Sequence, residues 1–347
     1  MFIIRPIRLT DLDAYTNFAF MANVGITSMP KNRELLKKNI EESLASFAPA
    51  INSPKNENYL FALEKMNNGD IGGVSAIYSK SGVEEPKYYY HIDTLHKEGL
   101  GLPVPKNIKI LKAVNIHNGP SEIGSLYLDP YFRKEGLGRL LSLSRLLFAA
   151  CFPERFDDVI VADMRGYIDK SNTAPFWEGF GRHFLDLEFP ALMQLLEKGK
   201  SFIPRIIPDY PAYISLLPKK IQEAIGKVHD NTKPALNMLV QEGFIRSDYI
   251  DIFDAGPMIT ARREEIRCVK ESHLAKVREI TSEDIPSEKY IICNNRIDFK
   301  ACFGHLEVSS DFGARLAVSV AEVLDLKIGD IFRYVSASPK KLSEGIS

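Results

Sequence analysis

A glycine-containing basic loop between a strand and a helix constrains the fold of this chain more than any other feature. The strand SEIGSLYLDP (121–130) ends at Asp129-Pro130, the loop RKEGLG (133–138) follows, and a helix with a continuous apolar face covers about residues 139–150. A buried strand, VIVADMRG (159–166), and a short aromatic helix, PFWEGFGRHF (175–184), come next. This alternation predicts an α/β unit with at least one parallel pair of strands.

The same loop has the residue types that hold a pyrophosphate. Gly136 and Gly138 let the backbone turn tightly and approach an anion, and the free N–H groups of a helix start favour negative charge. Arg133, Lys134 and Arg139 add positive charge. The spacing matches neither GxxxxGK[ST] nor GxGxxG, which excludes a P-loop and a Rossmann dinucleotide site. A basic turn that only caps a core helix is the alternative interpretation of a glycine pair at this position.

Charge and apolar patterning exclude several classes of protein. The 347 residues contain 44 Lys and Arg against 45 Asp and Glu, so the net charge of -1 argues against nucleic-acid binding by overall positive charge. The most apolar long segment, 137–152, is interrupted by Arg139 and Arg145, and membrane helices need roughly 18 uninterrupted apolar residues. The N-terminus lacks the pattern of a secretory signal, and the four cysteines form no CxxC pair. We therefore expect a cytoplasmic protein with no membrane partner.

The remaining patterns outline the rest of the chain. A helix is predicted over 31–47 and a hairpin over 59–78, with its turn at 67–70. Glycines and prolines between 99 and 105 predict a loop over 97–113, and the proline-rich segment 191–220 predicts a connecting region. A helix over 234–244, a strand over 247–253 and a set of short strands over 280–335 complete the pattern.

Several segments, taken in order, resemble the arginine N-succinyltransferase family. They include VGITSMPKNRELL (24–36), SLYLDPYFRKEGLGRLLSLSRLLF (125–148), IPDYPAYISLLP (207–218), IGKVHDNTKPALNMLVQEGF (225–244) and DIFDAGP (251–257). The basic loop is also similar to the acyl-CoA pyrophosphate loop of the Gcn5-related N-acetyltransferase superfamily. The resemblance implies an α/β (α+β mixed-sheet) fold of tandem acetyltransferase-like units. We expect an acyl-CoA-binding unit over 1–190, a degenerate second unit shaping the acceptor pocket over 191–279, and a small β-rich module over 280–347.

The resemblance also implies an activity. The family transfers a succinyl group from succinyl-CoA to the α-amine of L-arginine, a step of arginine catabolism, by direct attack in a ternary complex. Succinyl-CoA is then a co-substrate rather than a permanently bound cofactor, and no histidine pair has the spacing of a metal site. Family members suggest a homo-oligomer or a hetero-oligomer with a related subunit. Another acyl-CoA, another acceptor such as ornithine, or a non-catalytic acyl-CoA-binding regulator remain alternatives.

Candidate catalytic residues follow from the resemblance and from position. The resemblance places the proton donor on His229, in VHDNTKPA, and histidine suits proton transfer near neutral pH, with a loop histidine that caps the helix at 234 as the alternative. Glu122, on the strand before the loop, is the candidate general base, with an exposed strand-end glutamate as the alternative. The predicted cofactor-binding residues are Leu126, Tyr127 and Leu128, through their backbone, and Arg133, Lys134, Gly136, Leu137, Gly138 and Arg139.

Arginine as acceptor requires groups for its carboxylate and its guanidinium. Thr27 and Ser28 offer hydroxyl and backbone donors to the carboxylate, although the same residues could cap the following helix. Asp251 and Asp254 could bind the guanidinium, although aspartates in such a segment are often turn residues.

Overall fold

The fold is a mixed α/β architecture built on one long sheet. The computed structural model describes residues 1–22, 29–98, 107–309 and 311–339. Within these ranges the strands are β1 (Phe2–Pro6), β2 (Asn58–Lys65), β3 (Ile71–Tyr78), β4 (Lys87–His96), β5 (Asn107–Ile116), β6 (Ser121–Leu128), β7 (Val159–Asp163), β8 (Ala212–Tyr213), β9 (Ile245–Asp251), β10 (Pro257–Arg262), β11 (His273–Thr281), β12 (Tyr290–Cys293), β13 (Ala301–Gly304), β14 (Leu306–Val308), β15 (Gly313–Ala317) and β16 (Ile331–Ser336).

Helices cover both faces of this sheet. They are α1 (Leu12–Met21), α2 (Arg33–Ser46), α3 (Leu137–Cys151), α4 (Pro175–Gly179), α5 (Phe189–Leu196), α6 (Ile203–Ile206), α7 (Lys219–Gln222), α8 (Lys233–Gln241), α9 (Arg267–Lys270) and α10 (Val318–Leu324). None of the helices in the described ranges has the length and apolar character needed to cross a membrane.

The strand order places β6 and β7 in the middle of the sheet. In the described residues the order is β14-β15-β11-β16-β12-β13-β1-β2-β3-β6-β7-β10-β9-β4-β5-β8. The β6–β7 pair is parallel, and α3 connects its two strands. The parallel pair predicted from the alternation of strands and helices is therefore confirmed, as is the mixed-sheet fold class.

Helix α3 fixes the position of the basic loop by packing tightly on the sheet. Its leucines at 140, 141, 143, 146 and 147 are fully buried against side chains of the central strands, including Phe61 and Ile123. Each fully buried leucine contributes about 1.5–3 kcal/mol, so the start of the helix is held rigidly over the end of β6. Helices α1 and α2 cover the opposite face, where Leu60, Val74 and Tyr127 are buried.

The predicted loop over 97–113 is wrong in its second half. Residues from Asn107 onward form β5, which pairs with β4 from Lys87↔Ile116 to His96↔Asn107. The breaker residues lie at 99–105, outside the described residues, whereas NIKILKAVNI contains the β-branched and apolar residues that favour a strand. The glycines and prolines therefore mark a hairpin connection, and the strand begins soon after them.

Strands beyond residue 272 extend the same sheet. Strand β13 pairs with β1 at Ile4↔Ala301, and Phe299 joins the main core beside Phe61 and Phe148. On the other side, β4 and β5 of the predicted first unit pair with β9 and β8 of the predicted second unit. The division at 190 and 279 stays a prediction.

Candidate active site

The sheet opens between β6 and β7. Their parallel pairing covers Ser121↔Ile160 and Glu122↔Val161, although β6 continues to Leu128 and β7 to Asp163. On its other side, β6 shifts register against β3 where Ser125 adopts a positive φ of 47°. Such a β-bulge bends the strand and changes its direction. Beyond Glu122 the two strands therefore leave a cleft between them; we refer to it as the β6–β7 cleft.

The basic loop lies at the end of β6, where this cleft is open. Gly136 has a φ of 81°, in the left-handed region that favours glycine, and it precedes the first turn of α3. Among the described residues, the amides of Gly136 and Gly138 donate to no protein acceptor. Arg133 and Lys134 are exposed, and the Nε of Arg133 donates to the carbonyl of Leu128 at 3.2 Å. The loop thus presents free N–H groups and positive charge at one site.

The protein around position 138 does not require glycine there. A Cβ at this position would meet only the Cδ2 of Leu128, at 3.5 Å, which is ordinary van der Waals contact. Since glycine is unfavourable inside a helix, the described surroundings of Gly138 do not account for the absence of a side chain at this position.

Two of the other predicted loop residues have additional roles in the fold. The guanidinium of Arg139 donates to the side chain of Gln241 at 2.8 Å and lies 3.7 Å from the buried carboxylate of Glu242. Arg139 therefore ties α3 to the end of α8. The side chain of Leu137 is buried in the core, so only its backbone faces the loop.

His229 lies on the edge of β7 that β6 leaves open. The amides of Met164 and Gly166 both donate to the 254–257 segment, so Arg165 between them faces the opposite edge. The carbonyl of Arg165 accepts the N–H of His229 at 3.0 Å, and Val228 forms an isolated antiparallel β-bridge with Gly166. The backbone of His229 thus occupies the edge along which the cleft runs.

The imidazole of His229 is held as a neutral donor. Burial, together with the nearby Arg165, keeps the pKa of His229 below its usual range. Its Nδ1 lies 3.1 Å from the backbone nitrogen of Asn231 and accepts that N–H. In the neutral ring the proton then belongs to Nε2, which can donate a hydrogen bond.

Glu122 is buried rather than exposed at a strand end. Its Oε1 lies 2.5 Å from the Nζ of Lys87, which also lies 2.9 Å from the Oδ2 of Asp163. Burial raises the pKa of Glu122, whereas the ion pair with Lys87 opposes that rise. The predicted candidate base is thus already engaged by a cation.

Asp163 is a functional candidate that the sequence analysis missed. It is the last residue of β7, two positions beyond the last residue that pairs with β6, and its side chain is 35% exposed. Besides Lys87, the hydroxyl of Tyr89 donates to it at 3.0 Å. A carboxylate at the carboxyl end of a buried parallel strand, in VIVAD, is the sequence signal that could have identified it.

The predicted acceptor residues Asp251 and Asp254 lie close together, at the end of β9 and in the buried turn that follows it. Asp251 accepts the N–H groups of Phe253 and Asp254, and Asp254 accepts those of Gly166 and Gly256 at 2.8 Å. Burial, with Asp251 close by, raises the pKa of Asp254 to about 8. Both carboxylates therefore have the contacts of turn residues. Thr27 and Ser28 lie outside the described residues.

Comparison with known proteins identifies the family of this chain. The family model described as arginine N-succinyltransferase beta subunit matches residues 2–268, and the model of its C-terminal domain matches residues 273–336. The chain belongs to the arginine N-succinyltransferase family. The family and the enzyme class predicted from the sequence are thereby confirmed: the protein is an acyltransferase, and acyl-CoA is the co-substrate of its family.

Similar proteins cover almost the whole chain. The arginine N-succinyltransferase of Enterobacter sp. (strain 638) is 35% identical over 348 residues, which is 98% of this chain and 99% of that protein. That of Yersinia enterocolitica is 36% identical over 340 residues, covering 97% and 98%. The solved structure of arginine/ornithine succinyltransferase subunit AI from Pseudomonas aeruginosa superposes with a TM-score of 0.88 at 32% identity, covering 98% of this chain and 99% of that one.

Proposed function

We propose that this chain transfers the succinyl group of succinyl-CoA to the α-amine of L-arginine. The names of the relatives support arginine as the acceptor and succinyl as the transferred group. The observation that carries the proposal is the placement of the basic loop and His229 along one cleft between β6 and β7. A linear thioester whose phosphates bind at the loop would extend along that cleft toward His229.

Acyl-CoA binding follows from the free groups of the cleft. We assign the pyrophosphate to the amides of Gly136 and Gly138, with Arg133 and Lys134 neutralising its charge. The pantetheine arm would lie against the backbone of residues 126–128 as an added strand. The guanidinium of Arg139 is held by α8, so Arg139 supports the site through its position in α3 and not through direct contact with the pyrophosphate.

The reaction is a direct acyl transfer. The neutral α-amine attacks the thioester carbonyl, a C–N bond forms, the C–S bond breaks, and the amine loses a proton while the departing thiolate gains one. His229 faces this step with its Nε2–H. A doubly protonated ring would set an Nδ1–H against the N–H of Asn231, so this geometry favours hydrogen-bond donation by the neutral ring over full proton transfer.

The acceptor amine is proposed to bind beside Asp163. This carboxylate is more accessible than that of Glu122, whose side chain is 11% exposed and paired with Lys87. A positioned carboxylate accepts a hydrogen bond from the neutral amine and orients it toward the thioester. Glu122 then acts by holding Lys87, which in turn holds Asp163.

Thiol release tests these substrate assignments. The purified chain is mixed with succinyl-CoA or acetyl-CoA and with L-arginine or ornithine, and free thiol is followed against a His229→Ala control. We expect rapid release with succinyl-CoA and arginine. Ornithine is a reasoned second acceptor, because the related Pseudomonas subunit is described as an arginine/ornithine succinyltransferase. Release only with acetyl-CoA would overturn the donor, and CoA binding without release from any pair would support a regulatory protein.

Assembly and location are part of the same proposal. The structural relative is described as a subunit, which supports association of this chain with itself or with a related subunit. Light scattering after size-exclusion chromatography, with and without such a subunit, measures this directly. The four cysteines are free thiols, which fits the proposed cytoplasmic location.

A further inference from the structure

Arg145 is a buried cation at the bulge of β6. It lies in the middle of α3 with 1% of its surface exposed, among leucines that face the sheet. Its Nη1 donates to the carbonyls of Ala76 at 3.2 Å and Gly124 at 3.0 Å. Its Nε and Nη2 donate to the carbonyl and hydroxyl of Ser142 at 3.1 and 2.9 Å. Among the described residues, no carboxylate forms an ion pair with it.

A buried charge at this position would be unfavourable if Arg145 served only to fill space in the core. Buried arginines are normally paired with an anion, and an uncompensated buried charge strongly destabilises a fold. The neighbouring positions 143, 146 and 147 are all leucine. Burial lowers the pKa of Arg145 to about 9, so the guanidinium stays charged at neutral pH. A role beyond filling space explains why this position is not apolar as well.

The contacts of Arg145 coincide with the register shift of the sheet. Ala76 of β3 and Gly124 of β6 are register partners, and the register changes between this pair and Val74↔Tyr127. Ser125, the residue after Gly124, has the positive φ. One nitrogen of Arg145 thus holds a carbonyl from each strand at the last regular pair before the bulge. Arg145 therefore contacts both strands where their regular pairing ends, two residues after the last residue of β6 that pairs with β7.

We propose that Arg145 is a positioning residue that fixes the bulge of β6 and thereby the cleft that receives the pantetheine arm of acyl-CoA. The inference rests on the proposed use of acyl-CoA. According to this proposal, the two halves of that ligand depend on different parts of the protein. The nucleotide half binds at the loop of α3, whereas the pantetheine half depends on the path of β6 beyond Ser125. Loss of Arg145 should therefore weaken binding of the pantetheine half and leave binding of the nucleotide half unchanged.

Arg155 supplies a matched control. It is also buried, at 2% exposure, and its guanidinium donates to the carbonyls of Ser46 and Ala48 and to the hydroxyl of Tyr59. None of these acceptors lies on β6 or at the bulge. Substitution of Arg155 removes a comparable buried cation and comparable hydrogen bonds while leaving the β3–β6 contacts in place.

Calorimetric titration with CoA and with 3′-phospho-ADP, the nucleotide half of CoA, tests the proposal. We expect the wild-type chain to bind CoA more tightly than the half-ligand. Arg145→Met should lose at least about tenfold in CoA affinity while its affinity for 3′-phospho-ADP stays within about twofold. Arg155→Met should leave the ratio of the two affinities unchanged. Folding of each variant is checked by circular dichroism.

Each outcome has a defined meaning. An unchanged affinity ratio in folded Arg145→Met, or a parallel loss for both ligands, overturns the role of Arg145. If Arg145→Met does not fold, Arg145→Lys decides by the same ratio, because lysine keeps the charge but cannot reach all four acceptors. Wild-type protein that binds neither ligand would instead overturn the proposed acyl-CoA site itself.

Discussion

At the level of single residues, the hydrogen bond from the Asn231 amide to the Nδ1 of His229 has a consequence for catalysis. The neutral ring offers an Nε2–H donor, and a glutamine side chain can offer a similar N–H without titrating. We expect His229→Ala to lower kcat by about a hundredfold or more, and His229→Gln to retain at least about tenfold more activity than alanine. Steady-state kinetics at saturating substrates measure both.

The two variants also separate hydrogen-bond donation from proton transfer. If His229 must transfer a full proton to the thiolate, glutamine and alanine should be equally inactive, and that result would refute donation by the neutral ring. The affinity for CoA serves as the control, since neither substitution touches the loop of α3. Because the pKa of His229 lies below its usual range, the neutral ring is already the major form at neutral pH, and acidification should reduce the rate.

Asp254 links stability to pH. Its pKa is about 8 in the folded protein against an ordinary pKa of 3.8 for an aspartate, so between these values the folded state keeps a proton that the unfolded state has lost. The free energy of unfolding should therefore fall as pH rises, by up to about 1.4 kcal/mol per pH unit, and the dependence should level off above pH 8. Asp254→Asn lacks this titration.

Denaturant unfolding of both proteins between pH 5 and pH 9 checks the linkage. The unfolding free energy of Asp254→Asn minus that of the wild type should increase steadily with pH until the pH passes the folded pKa of Asp254, about 8. The amide accepts only one of the two backbone N–H groups that Asp254 accepts, which costs about 1–3 kcal/mol at every pH. A constant difference across the whole range would mean that Asp254 is ionised in the folded protein.

At the level of elements, the start of α3 contains one glycine that the backbone conformation requires, Gly136, and one that the surrounding protein does not require, Gly138. Gly138→Ala should keep or raise the melting temperature, since alanine is about 0.5–1 kcal/mol more favourable inside a helix. It should also weaken CoA binding by at least about tenfold, because the new methyl lies beside Leu128, where we propose that the phosphates bind. Thermal unfolding and calorimetric titration measure the two effects separately.

Gly136→Ala is the matched comparison for this loop. The φ of 81° at Gly136 is unfavourable for alanine, so this variant should lose about 1–2 kcal/mol of stability. Wild-type affinity in Gly138→Ala would show that this glycine belongs to a turn that only caps the helix.

The same loop shows how far sequence reasoning reaches within an element. Strand, loop and helix around 121–151 could be predicted because their signals are local: a strand stopped at Asp129-Pro130, glycines, then an apolar helical face. Lys87 and Arg145 could not, because their roles depend on contacts between segments far apart in the chain; Asp163 has a local signal at the end of VIVAD, but its partner Lys87 has none. Lys87 meets Asp163 although β9 and β10 lie between β4 and β7 in the sheet, so no pairing of adjacent strands would have indicated this contact.

At the level of the whole molecule, sheet order is what local patterns do not specify. The parallel β6–β7 pair could be predicted, since a helix connects the strands. Pairing of β13 with β1 joins residues about 300 positions apart, and no local signal selects the edge of β1 as its partner. The predicted β-rich nature of the C-terminal segment needed only short strand patterns, whereas its continuity with the central sheet depends on buried contacts such as Phe299 with Phe61.

This continuity predicts that the strands after residue 272 are needed for folding of the whole chain. A chain ending at Ser272 would leave the edge of β1 unpaired and uncover the main core where Ile291, Phe299 and Val335 now pack. We expect this shortened chain to aggregate, or to remain unfolded as judged by circular dichroism.

The full chain should unfold in one calorimetric transition. Phe299→Ala should lower the free energy of unfolding by about 3–5 kcal/mol and shift the whole transition to lower temperature. A folded, soluble 1–272 chain, or a second transition in which only part of the protein responds to Phe299→Ala, would show that the C-terminal strands form an independent domain.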